Sequence, residues 1–488
     1  MSMKNDFSKR DLPMKSEDIS SWYNAVVIQA GLVEHSDVKG CLILRPTGYA
    51  LWEQAYMIMD NWFKKGGVQN VYFPLLIPMS LIEQEQKHLE GFSPELAVVT
   101  HAGGEELEQP YAIRPTSETV ITKSFVNWIN SYRDLPMKLN QWCNVVRWEK
   151  RTYPFIRTSE FLWQEGHTVH ANKESAIEMV MEAIGWYRKF YEEYAALAPY
   201  VGIKSESERF AGAEETYSIE LVMPNGKALQ GATSHYLGEN FTKVFGVQYL
   251  NENSEKIFAK QTSWGISTRY IGGLVLTHGD DAGLVIPPKL APVQVVIIPI
   301  CKKEEEYESS ELYQAIEKLK SDLEHSGVRV VVDSNLQHSL GYRINESELR
   351  GIPLRIEIGA KEFANDSVTL VSRVTFEKSS CLLSSVVFDV NSRLDEIQKQ
   401  LYDRALSMRN SLTLDIDTYD EFVTAMEDKK VFARVFWCEQ TSCESVIKEA
   451  TKAVSRILEV DHIKDSLGGK CFKCGGLANR RWLFAQSY

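Results

Sequence analysis

The sequence contains 488 residues, long enough for two to four domains that each bury a hydrophobic core. Its 44% hydrophobic and 25% charged residues are typical of a soluble globular protein. No apolar run approaches the roughly 18 residues of a membrane span, so we expect no membrane partner. The net charge of −12 argues only weakly against a nucleic-acid partner, because the local field at a docking surface decides such binding.

Three regions differ in their hydrophobic patterns. The first spans residues 1–287 and mixes strands with amphipathic helices. Pro287 and Pro288 mark its end, because neither can donate a ladder hydrogen bond and both restrict the preceding backbone. The second region, 288–395, alternates strands and helices. The third region, 396–488, begins with a helix and contains a cysteine cluster.

The clearest predicted elements are helices with apolar residues at helical spacing and short apolar strands. Residues 174–198 form the clearest predicted helix of the first region. In the second region, a helix at 310–325 lies between apolar strands at 293–298 and 328–332. Continuous apolar strands separated by a helix predict a small, mainly parallel sheet.

The segment 114–119 (RPTSET) predicts a loop that leads into a helix beginning near Glu118. A carboxylate beside hydroxyl groups can hold a substrate ammonium group. An ordinary capping box, in which the same side chains only satisfy the helix N-terminus, explains the pattern as well. Both interpretations stay open for this segment alone.

The segments 141–149 and 156–167 predict two antiparallel strands joined by a charged turn. Side chains alternate along a strand, so one face of this hairpin combines arginine, aromatic and carboxylate groups. That mixture suits ATP, because guanidinium groups pair with phosphate oxygens and an aromatic ring can stack on adenine. A solvated strand accounts for the charges but not for the tryptophans. The residues on this face are Arg147, Glu149, Phe161, Trp163 and Glu165.

A third segment, 264–269, precedes an apolar run with two glycines and places Arg269 at the start of a predicted buried helix. A buried arginine is costly without a partner, and phosphate is one candidate. Glycine patterns of the Walker or Rossmann type do not occur in a strand–turn–helix context, so an ATP site belongs to another fold.

Four of the eight cysteines cluster near the C-terminal end. Their spacing is Cys-x4-Cys and then Cys-x2-Cys, and two close thiolate pairs suit a tetrahedral Zn²⁺ ion. We expect a structural role, since four thiolates leave no open coordination position. Free thiols in a reducing compartment are the alternative, and either interpretation predicts a cytoplasmic protein. The predicted ligands are Cys438, Cys443, Cys471 and Cys474.

Taken in chain order, these segments resemble the three motifs of class II aminoacyl-tRNA synthetases. Motif 1, a helix and strand at the dimer interface, resembles 49–65 followed by 68–74. Motif 2 resembles 141–167 and motif 3 resembles 262–288. RPTSET and the run 230–235 (QGATSH) resemble the prolyl-tRNA synthetase family in particular. The interval between motifs 2 and 3 is too short for the editing insertion of bacterial-type members, so the chain resembles the archaeal and eukaryotic type.

The resemblance implies an α+β fold. It predicts a class II antiparallel sheet flanked by helices at 1–287, an α/β anticodon-binding domain at 288–395 and a small zinc-binding α+β domain at 396–488. It also implies a ligase activity, in which ATP activates L-proline to prolyl-adenylate, pyrophosphate leaves and proline is transferred to the 3′ end of tRNA(Pro). The expected assembly is a homodimer, with Mg²⁺ as a further cofactor.

Roles for individual residues follow from their positions in the motifs. Arg147 and Arg269 would be the catalytic residues. Arg147 would hold the ATP α-phosphate and the proline carboxylate, while Arg157 and Arg269 would hold the β- and γ-phosphates. The implied ATP-binding residues are Arg147, Glu149, Arg157, Thr158, Phe161, Gln230, Thr233, Ser267 and Arg269. The implied proline-binding residues are Thr116, Glu118, Arg147, Trp163, Glu165, His167, Phe210 and His235.

In the second region, the segment 351–361 (GIPLRIEIGAK) resembles the family's anticodon-binding domain. Its alternation predicts a half-buried strand at 354–358 with its polar side chains on one face. Polar side chains can read the edges of unstacked bases, although a solvated strand face is the alternative. The implied anticodon contacts are Glu346, Arg355, Glu357, Lys361 and Arg373. Related chains also end in a tyrosine whose carboxylate reaches towards the active site, and Tyr488 occupies that position.

Two other functions stay open at this point. A different class II synthetase, such as the threonyl or glycyl enzyme, would share the motifs, but the first region lacks an evident Cys/His metal triad, which disfavours threonine. A relative that binds tRNA without catalysis would not need Arg147, Arg157 and Arg269 together.

Overall fold

The computed structural model describes residues 12–86, 96–301 and 310–488. In its first region, helices surround a sheet of long strands. The helices are α1 (Ile19–Gln29), α2 (Pro46–Lys65), α3 (Met79–Gln86), α4 (Glu118–Trp128), α5 (Lys173–Lys189), α6 (Asn240–Phe245) and α7 (Arg269–His278). The strands are β1 (Val33–His35), β2 (Leu42–Leu44), β3 (Gln69–Asn70), β4 (Leu76–Pro78), β5 (Val98–Ala102), β6 (Glu105–Ile113), β7 (Met137–Val146), β8 (Glu160–His170), β9 (Tyr200–Ile203), β10 (Glu215–Val222), β11 (Ala228–Gly238), β12 (Gln248–Leu250), β13 (Lys256–Phe258) and β14 (Lys260–Ser267).

The central sheet has the order β9-β10-β11-β14-β8-β7, with every neighbouring pair antiparallel, and β3 joins its edge in parallel. The predicted motif 2 hairpin is formed by β7 and β8, which place Gln141 opposite Glu165. However, β7 ends at Val146, so Arg147 and Glu149 lie in the connection beyond the strand and not on its face. Their direction is therefore set by the turn and not by strand alternation.

The helix predicted at 174–198 is shorter in the structure. α5 ends at Lys189, and Phe190–Tyr194 continues it as a single π turn. Ala196 then has a φ of +52°, and Pro199 follows three residues later. Since helical backbone is disfavoured immediately before a proline, the chain leaves the helix here and enters β9. The apolar face of α5 still packs into the main core, as its spacing predicts.

The second region has a sheet with helices on its faces. Its helices are α8 (Glu311–His325), α9 (Leu340–Leu349) and α10 (Ala360–Ala364). Its strands are β15 (Val295–Ile300), β16 (Val330–Val332), β17 (Leu354–Gly359), β18 (Ser367–Ser372) and β19 (Lys378–Leu382).

The prediction of a mainly parallel sheet in the second region is wrong. The order is β16-β15-β17-β18-β19, in which β15 pairs in parallel with both β16 and β17 but β18 and β19 add antiparallel pairs. The connection from β17 to β18 contains only the short α10, whereas a parallel crossover needs a dozen or more residues. β17 is also buried along its whole length, because it lies in the middle of the sheet, so the half-buried strand predicted at 354–358 is corrected.

The third region continues from a long helix into another set of strands. Its helices are α11 (Val386–Ser411), α12 (Tyr419–Asp428) and α13 (Thr441–Thr451). Its strands are β20 (Thr413–Asp415), β21 (Phe432–Trp437), β22 (Val454–Glu459), β23 (Gly469–Lys470), β24 (Leu477–Ala478) and β25 (Arg480–Ala485). Within α11, Val390, Leu394 and Leu401 pack in the core of the second region. The boundary predicted between residues 395 and 396 thus falls inside one continuous helix.

The strands of the third region extend the central sheet of the first. The full order is β20-β21-β25-β22-β9-β10-β11-β14-β8-β7-β3. At the junction, Leu458 of β22 pairs with Ile203 of β9, and Glu459 pairs with Gly202. A Cβ at Gly202 would lie 2.3 Å from the Leu458 carbonyl oxygen, so this close approach requires glycine.

A buried charge network spans the same junction. The Nζ atom of Lys204 lies 2.7 Å from one carboxylate oxygen of Glu220, and Arg456 Nη2 lies 2.7 Å from the other. Burial acts to raise the pKa of Glu220, but the charges of Arg456 and Lys204 lower it below its usual value. The carboxylate therefore stays ionised and joins β10 to the third region. In the described parts of the chain, no helix is long and apolar enough to cross a membrane.

Substitution of Glu220 tests the strength of this junction. Glu220→Gln leaves two cations buried without their counter-charge, so we expect the free energy of unfolding to fall by about 3–5 kcal/mol. Urea denaturation followed by tryptophan fluorescence measures it. The control is Asp403→Asn, which removes the exposed ion pair with Lys399 and should cost less than about 1 kcal/mol. Equal losses in the two variants would contradict the proposed strength of the network.

Candidate active site

The residues predicted to bind ATP and proline come together in one cleft, on strands β8, β11 and β14 and the segments beside them. All but three of them line this cleft. Glu149 and Arg157 lie outside the lining and face each other, with 3.8 Å between Oε2 and Nη1, and Thr158 is buried next to Arg157 in the chain. The predicted residues that line the cleft are Thr116, Glu118, Arg147, Phe161, Trp163, Glu165, His167, Phe210, Gln230, Thr233, His235, Ser267 and Arg269.

The RPTSET segment contributes hydroxyl groups to two buried carboxylates. α4 begins at Glu118, as predicted, but Ser117 makes no side-chain hydrogen bond to the helix N-terminus. Instead, Thr116 Oγ1 donates to Glu118 Oε2, and Ser117 Oγ donates to Glu165 Oε1 at 2.5 Å. The capping-box interpretation is therefore wrong, because these hydroxyl groups organise the cleft and do not cap the helix.

Glu165 is the most highly bonded carboxylate of the cleft. Besides Ser117, Gln141 Nε2 donates to its Oε1 at 2.8 Å, and His167 Nε2 lies 3.0 Å from its Oε2. Burial acts to raise the pKa of Glu165, but the hydrogen bonds that it accepts, above all that from His167, lower it below its usual value. Glu165 is therefore a stable anion deep in the cleft.

The pKa values of two buried histidines in the cleft are shifted in opposite directions. Burial acts to lower the pKa of His167, but the hydrogen bond and charge of Glu165 raise it above its usual value. Burial and the nearby charge of His167 lower the pKa of His235 to about 3. His235 packs against Phe210, with ring centroids 4.6 Å apart, and its Nδ1 lies 3.0 Å from Thr216 Oγ1. The cleft thus combines an imidazole whose protonated form is favoured by Glu165 with a neutral imidazole.

Arg147 lies between the acidic and aromatic parts of the cleft. Its Nε donates to the Pro115 carbonyl oxygen at 3.0 Å, and its guanidinium lies over the rings of Phe161 and Trp163 at 5.6 and 5.4 Å. Burial lowers the pKa of Arg147, which the charge of Glu118 partly offsets. One hydrogen bond to a carbonyl leaves most of its donors available to a ligand.

Arg269 starts α7, as predicted, and its Nε donates to the Ile156 carbonyl oxygen at 2.9 Å. Burial lowers the pKa of Arg269 to about 10, and the charges of Arg147 and Arg157 add to the effect. Three guanidinium groups in mutual repulsion favour a polyanionic ligand. Arg157 Nη2 also donates to a main-chain oxygen of Tyr488 at 3.1 Å, so the Tyr488 main chain reaches this part of the site.

Sequence reasoning missed Ser117, Gln141 and Thr216, which hold the Glu165 carboxylate and the His235 ring in place. Ser117 and Gln141 lie within the RPTSET and motif 2 segments, but neither they nor Thr216 is a residue type that by itself indicates this role. Cross-strand register is the signal that finds two of them, because Gln141 lies opposite Glu165 and Thr216 lies opposite His235. Register is set by the whole sheet and not by the local sequence.

The anticodon candidates do not form one exposed surface. Lys361 is exposed on α10, and Glu346 Oε1 accepts from Arg350 at 2.8 Å on α9. Arg355 and Glu357 are buried on β17 and bond to each other at 2.9 Å. The pattern of alternating charges on this strand therefore reflects an internal ion pair.

Arg373 joins the second region to the first. It is buried, and its two terminal nitrogens donate to the carboxylate oxygens of Asp280 at 2.8 and 2.6 Å. Its Nε donates to the Glu348 carbonyl oxygen at 2.8 Å. The guanidinium is thus committed to contacts inside the protein.

The four clustered cysteines have the geometry of a metal site. Their Sγ atoms all lie within 4.8 Å of one another. Cys443 and Cys471 are 3.8 Å apart, and Cys438 and Cys474 are 3.7 Å apart. A tetrahedral zinc ion with bonds of about 2.3 Å separates its sulfur ligands by about 3.8 Å. The cluster can therefore hold a metal ion with its ligands close to their present positions.

The antiparallel sheet with its arginine-lined and carboxylate-lined cleft defines the catalytic core of a class II aminoacyl-tRNA synthetase. The family described as the class II core domain of tRNA synthetases (G, H, P, S and T) matches residues 99–278. An anticodon-binding domain family matches 294–393, and the C-terminal family of prolyl-tRNA synthetase matches 419–488.

Proteins that are similar to almost the whole chain identify the family within this class. The proline–tRNA ligase of Chlorobium limicola is 48% identical over 480 residues, covering 97% of this chain and 98% of that protein. That of Borreliella burgdorferi strain ZS7 is 44% identical over 482 residues, covering 97% and 99%. A crystal structure of prolyl-tRNA synthetase from Cryptosporidium parvum with halofuginone and AMPPNP has a TM-score of 0.93 and 41% identity, covering 98% of this chain and 99% of that one. The same protein with L-proline and AMP has a TM-score of 0.92 and 40% identity, covering 98% and 96%.

The chain belongs to the prolyl-tRNA synthetase family. Its activity is that of a proline–tRNA ligase, which activates proline with ATP and transfers it to tRNA. The expectation drawn from the sequence motifs is confirmed, and the threonyl, glycyl and non-catalytic alternatives are not supported.

The Glu165–His167 pair should give stability a pH dependence of known sign. The pKa of His167 is raised above its usual 6.5, so its stabilisation is complete below about pH 6.5 and is lost as the pH rises through the raised value. The pKa of Glu165 is lowered below its usual 4.5, so its stabilisation is complete above about pH 4.5 and is lost as the pH falls through the lowered value. Urea denaturation from about pH 6 to pH 9 should show a larger loss for the natural protein than for His167→Gln. Parallel curves would contradict the pairing.

Proposed function

We propose that the cleft forms prolyl-adenylate with proline at its carboxylate end and ATP at its arginine end. The observation that carries this assignment is the separation of charge along one cleft, with Glu118 and Glu165 buried at one end, Arg269 at the other and Arg147 between them. The imino nitrogen of proline is cationic and the triphosphate is anionic, so the two substrates match the two ends.

At the proline end, Thr116 and Glu118 would receive the imino nitrogen, and Trp163 and Phe210 would enclose the apolar ring. Glu165 and His167 also line this pocket and are bonded to each other. His235 stays neutral beneath Phe210, so it adds bulk and a hydrogen-bonding group without repelling the imino nitrogen. A pocket of this size discriminates weakly against amino acids of similar volume, such as alanine.

At the ATP end, Phe161 would stack on adenine, and Arg157 and Arg269 would hold the β- and γ-phosphates. Gln230 and Ser267 line the same part of the cleft and offer polar groups to the nucleotide, as does Thr233. Thr158 would contribute from the connection just before β8. The repulsion among the arginines is relieved when the triphosphate binds, which favours binding of the anion.

Arg147 would act at the reacting centre. The proline carboxylate attacks the α-phosphorus of ATP, a phosphorus–oxygen bond forms, and the bond to pyrophosphate breaks on the opposite side. No proton transfer is needed, so positioning and charge neutralisation supply the rate enhancement. Arg147 would carry out both, because its one hydrogen bond, to the Pro115 carbonyl oxygen, leaves most of its donors available to the proline carboxylate and the α-phosphate.

Mg²⁺ is the further cofactor that we propose. The Glu149 carboxylate lies 3.8 Å from Arg157, and its charge affects the pKa of Arg269, which burial lowers to about 10. An oxygen ligand at this position suits a hard cation, so Glu149 would hold Mg²⁺, which neutralises charge on the phosphate oxygens when bound.

For tRNA(Pro), we propose that the second region binds the anticodon. Lys361 and Glu346 are the candidates nearest to solvent, whereas Arg355 and Glu357 would need to exchange their mutual ion pair for contacts with bases. Arg373 would act through its bond to Asp280 by holding the anticodon-binding region against the catalytic region.

Lys361→Ala should weaken tRNA(Pro) binding in a filter assay without changing proline activation, and unchanged binding would remove Lys361 from the interface.

We further propose domains at 1–287, 288–395 and 396–488, with α11 shared between the last two, and a homodimer in the cytoplasm. Exposed aromatic residues on and after α2 support the dimer, with Tyr72 73% exposed. None of the eight cysteines, all of which lie among the described residues, forms a disulfide, which fits a reducing compartment. A monomer in sedimentation at micromolar concentration would contradict the dimer, and recovery of the protein outside the cytosolic fraction would contradict the location.

Substitution of Arg147 tests the proposed reaction. ATP–pyrophosphate exchange without tRNA should be strong with proline among the twenty amino acids, and Arg147→Ala should reduce it by about a thousandfold or more. Arg151→Ala is the matched control, because Arg151 is exposed in the same connection. Circular dichroism and thermal unfolding should be unchanged in both variants. Near-normal exchange by folded Arg147→Ala would refute the assignment.

We propose Zn²⁺ as the structural metal of the cysteine cluster. Cys474→Ser should lower the zinc content from about one ion per chain and lower the unfolding temperature of the third region, because the loss of one thiolate opens the tetrahedral site. Metal analysis by mass spectrometry measures it, with Cys381→Ser as the control. Equal zinc content in both variants would contradict the proposed site.

A further inference from the structure

The segment 204–214 between β9 and β10 forms one wall of the cleft. Glu208, Arg209 and Phe210 line it from this segment. The Phe210 backbone N–H donates to Thr216 Oγ1 at 3.0 Å, and the Phe210 ring packs on His235. The position of this segment therefore decides the shape of the proline end of the cleft.

The third region holds the other side of this segment. Ser207 Oγ donates to Glu444 Oε2, and the backbone N–H of Ser455 donates to Glu444 Oε1 at 3.0 Å. Ser455 Oγ also donates to Ser205 Oγ at 2.7 Å. Lys448 lies 3.5 Å from Glu208 in a weaker, exposed contact. One strand, β22, and one helix, α13, of the third region thus meet the segment through a few hydrogen bonds.

Glu444 is the central residue of this contact. Its side chain is acidic, yet it is only 3% exposed. A buried carboxylate is costly unless its oxygens are bonded, and each oxygen of Glu444 accepts from a different partner. Its place in the first turn of α13 is also favourable for a negative charge. Such a residue fixes the distance between β22 and Ser207.

We propose that Glu444 is a positioning residue for proline binding. From the third region it holds the segment 204–214 in the conformation that places Phe210 and Arg209 at the proline pocket. This inference rests on the proposed assignment of the carboxylate end of the cleft to proline. Without the contact, the segment is a surface loop with exposed Glu206 and Ser207, and ordering it on binding would cost affinity. Since the segment lines the proline end, the effect falls on the KM for proline and not on the KM for ATP.

Proline-dependent ATP–pyrophosphate exchange by the full chain tests this role. Glu444→Ala should raise the KM for proline about tenfold, the effect of losing a hydrogen bond to a charged group, with kcat and the KM for ATP within about twofold. Ser207→Ala removes the same bond from an exposed residue and should reproduce the shift without loss of fold. Glu444→Gln keeps an acceptor for Ser455 and an amide that can donate to Ser207, so it should restore most of the affinity. Glu449→Ala, an exposed change on the same helix, is the matched control.

A double-mutant cycle separates positioning from general destabilisation. If Glu444 acts through Ser207, the double variant Ser207→Ala/Glu444→Ala should be no worse than Glu444→Ala alone. An unchanged KM for proline in both single variants would overturn the inference, as would a fall in kcat and in affinity for both substrates with Glu444→Ala while Ser207→Ala has no effect. Absence of proline-dependent exchange in the unsubstituted protein would instead refute the proposed function itself.

Discussion

The antiparallel pairing of β9 with β22 is the constraint on which the arrangement of the active site depends. It is short, and it exists because Gly202 has no Cβ to collide with the carbonyl oxygen of Leu458. The buried charges around Glu220 secure the same junction. Because of this pairing, the third region continues the catalytic sheet, its Tyr488 reaches Arg157, and its α13 contacts the segment 204–214 at the wall of the cleft. Cys443, one residue before Glu444, belongs to the cysteine cluster, so the cluster and the contact share one helical turn.

Within the cleft, the fate of each buried charge depends on its partner. The negative charge of Glu165 is balanced inside the protein, because His167 and two neutral donors bond to its carboxylate. Among the described residues, the Arg269 guanidinium bonds only to carbonyl oxygens and is repelled by its arginine neighbours, so its charge is available to an anionic ligand. The protonated form of one imidazole is favoured because it faces a carboxylate, and the other is neutral because it faces a hydroxyl group and the first imidazole. Chemically similar residues thus perform different tasks through their surroundings.

The local parts of the site could be predicted from the sequence. The hairpin of motif 2 follows from alternation, and the helix starts at Glu118 and Arg269 follow from the residues that precede the apolar runs. The errors have two causes, which are the point where a regular element ends and contact between distant segments. The connection after β7 moved Arg147 off the strand face, and the central position of β17 buried residues that alternation alone assigned to solvent. Burial depends on what covers a strand, and the strand's own sequence does not contain that information.

By itself, the sequence determined the residue types and the chain order of the segments that resemble the class II motifs, and that four thiols can share a metal. These features are local or depend on spacing, since strand and helix periods place neighbouring side chains on known faces. Only the tertiary structure decided that the third region extends the catalytic sheet, that Arg373 bonds to Asp280, and that Glu444 holds Ser207. Those partners lie 93 and 237 residues apart in the chain. Hydrogen bonds and ion pairs over such separations leave no periodic trace in the sequence, because they arise only when the sheet register and the packing of the helices bring the groups together.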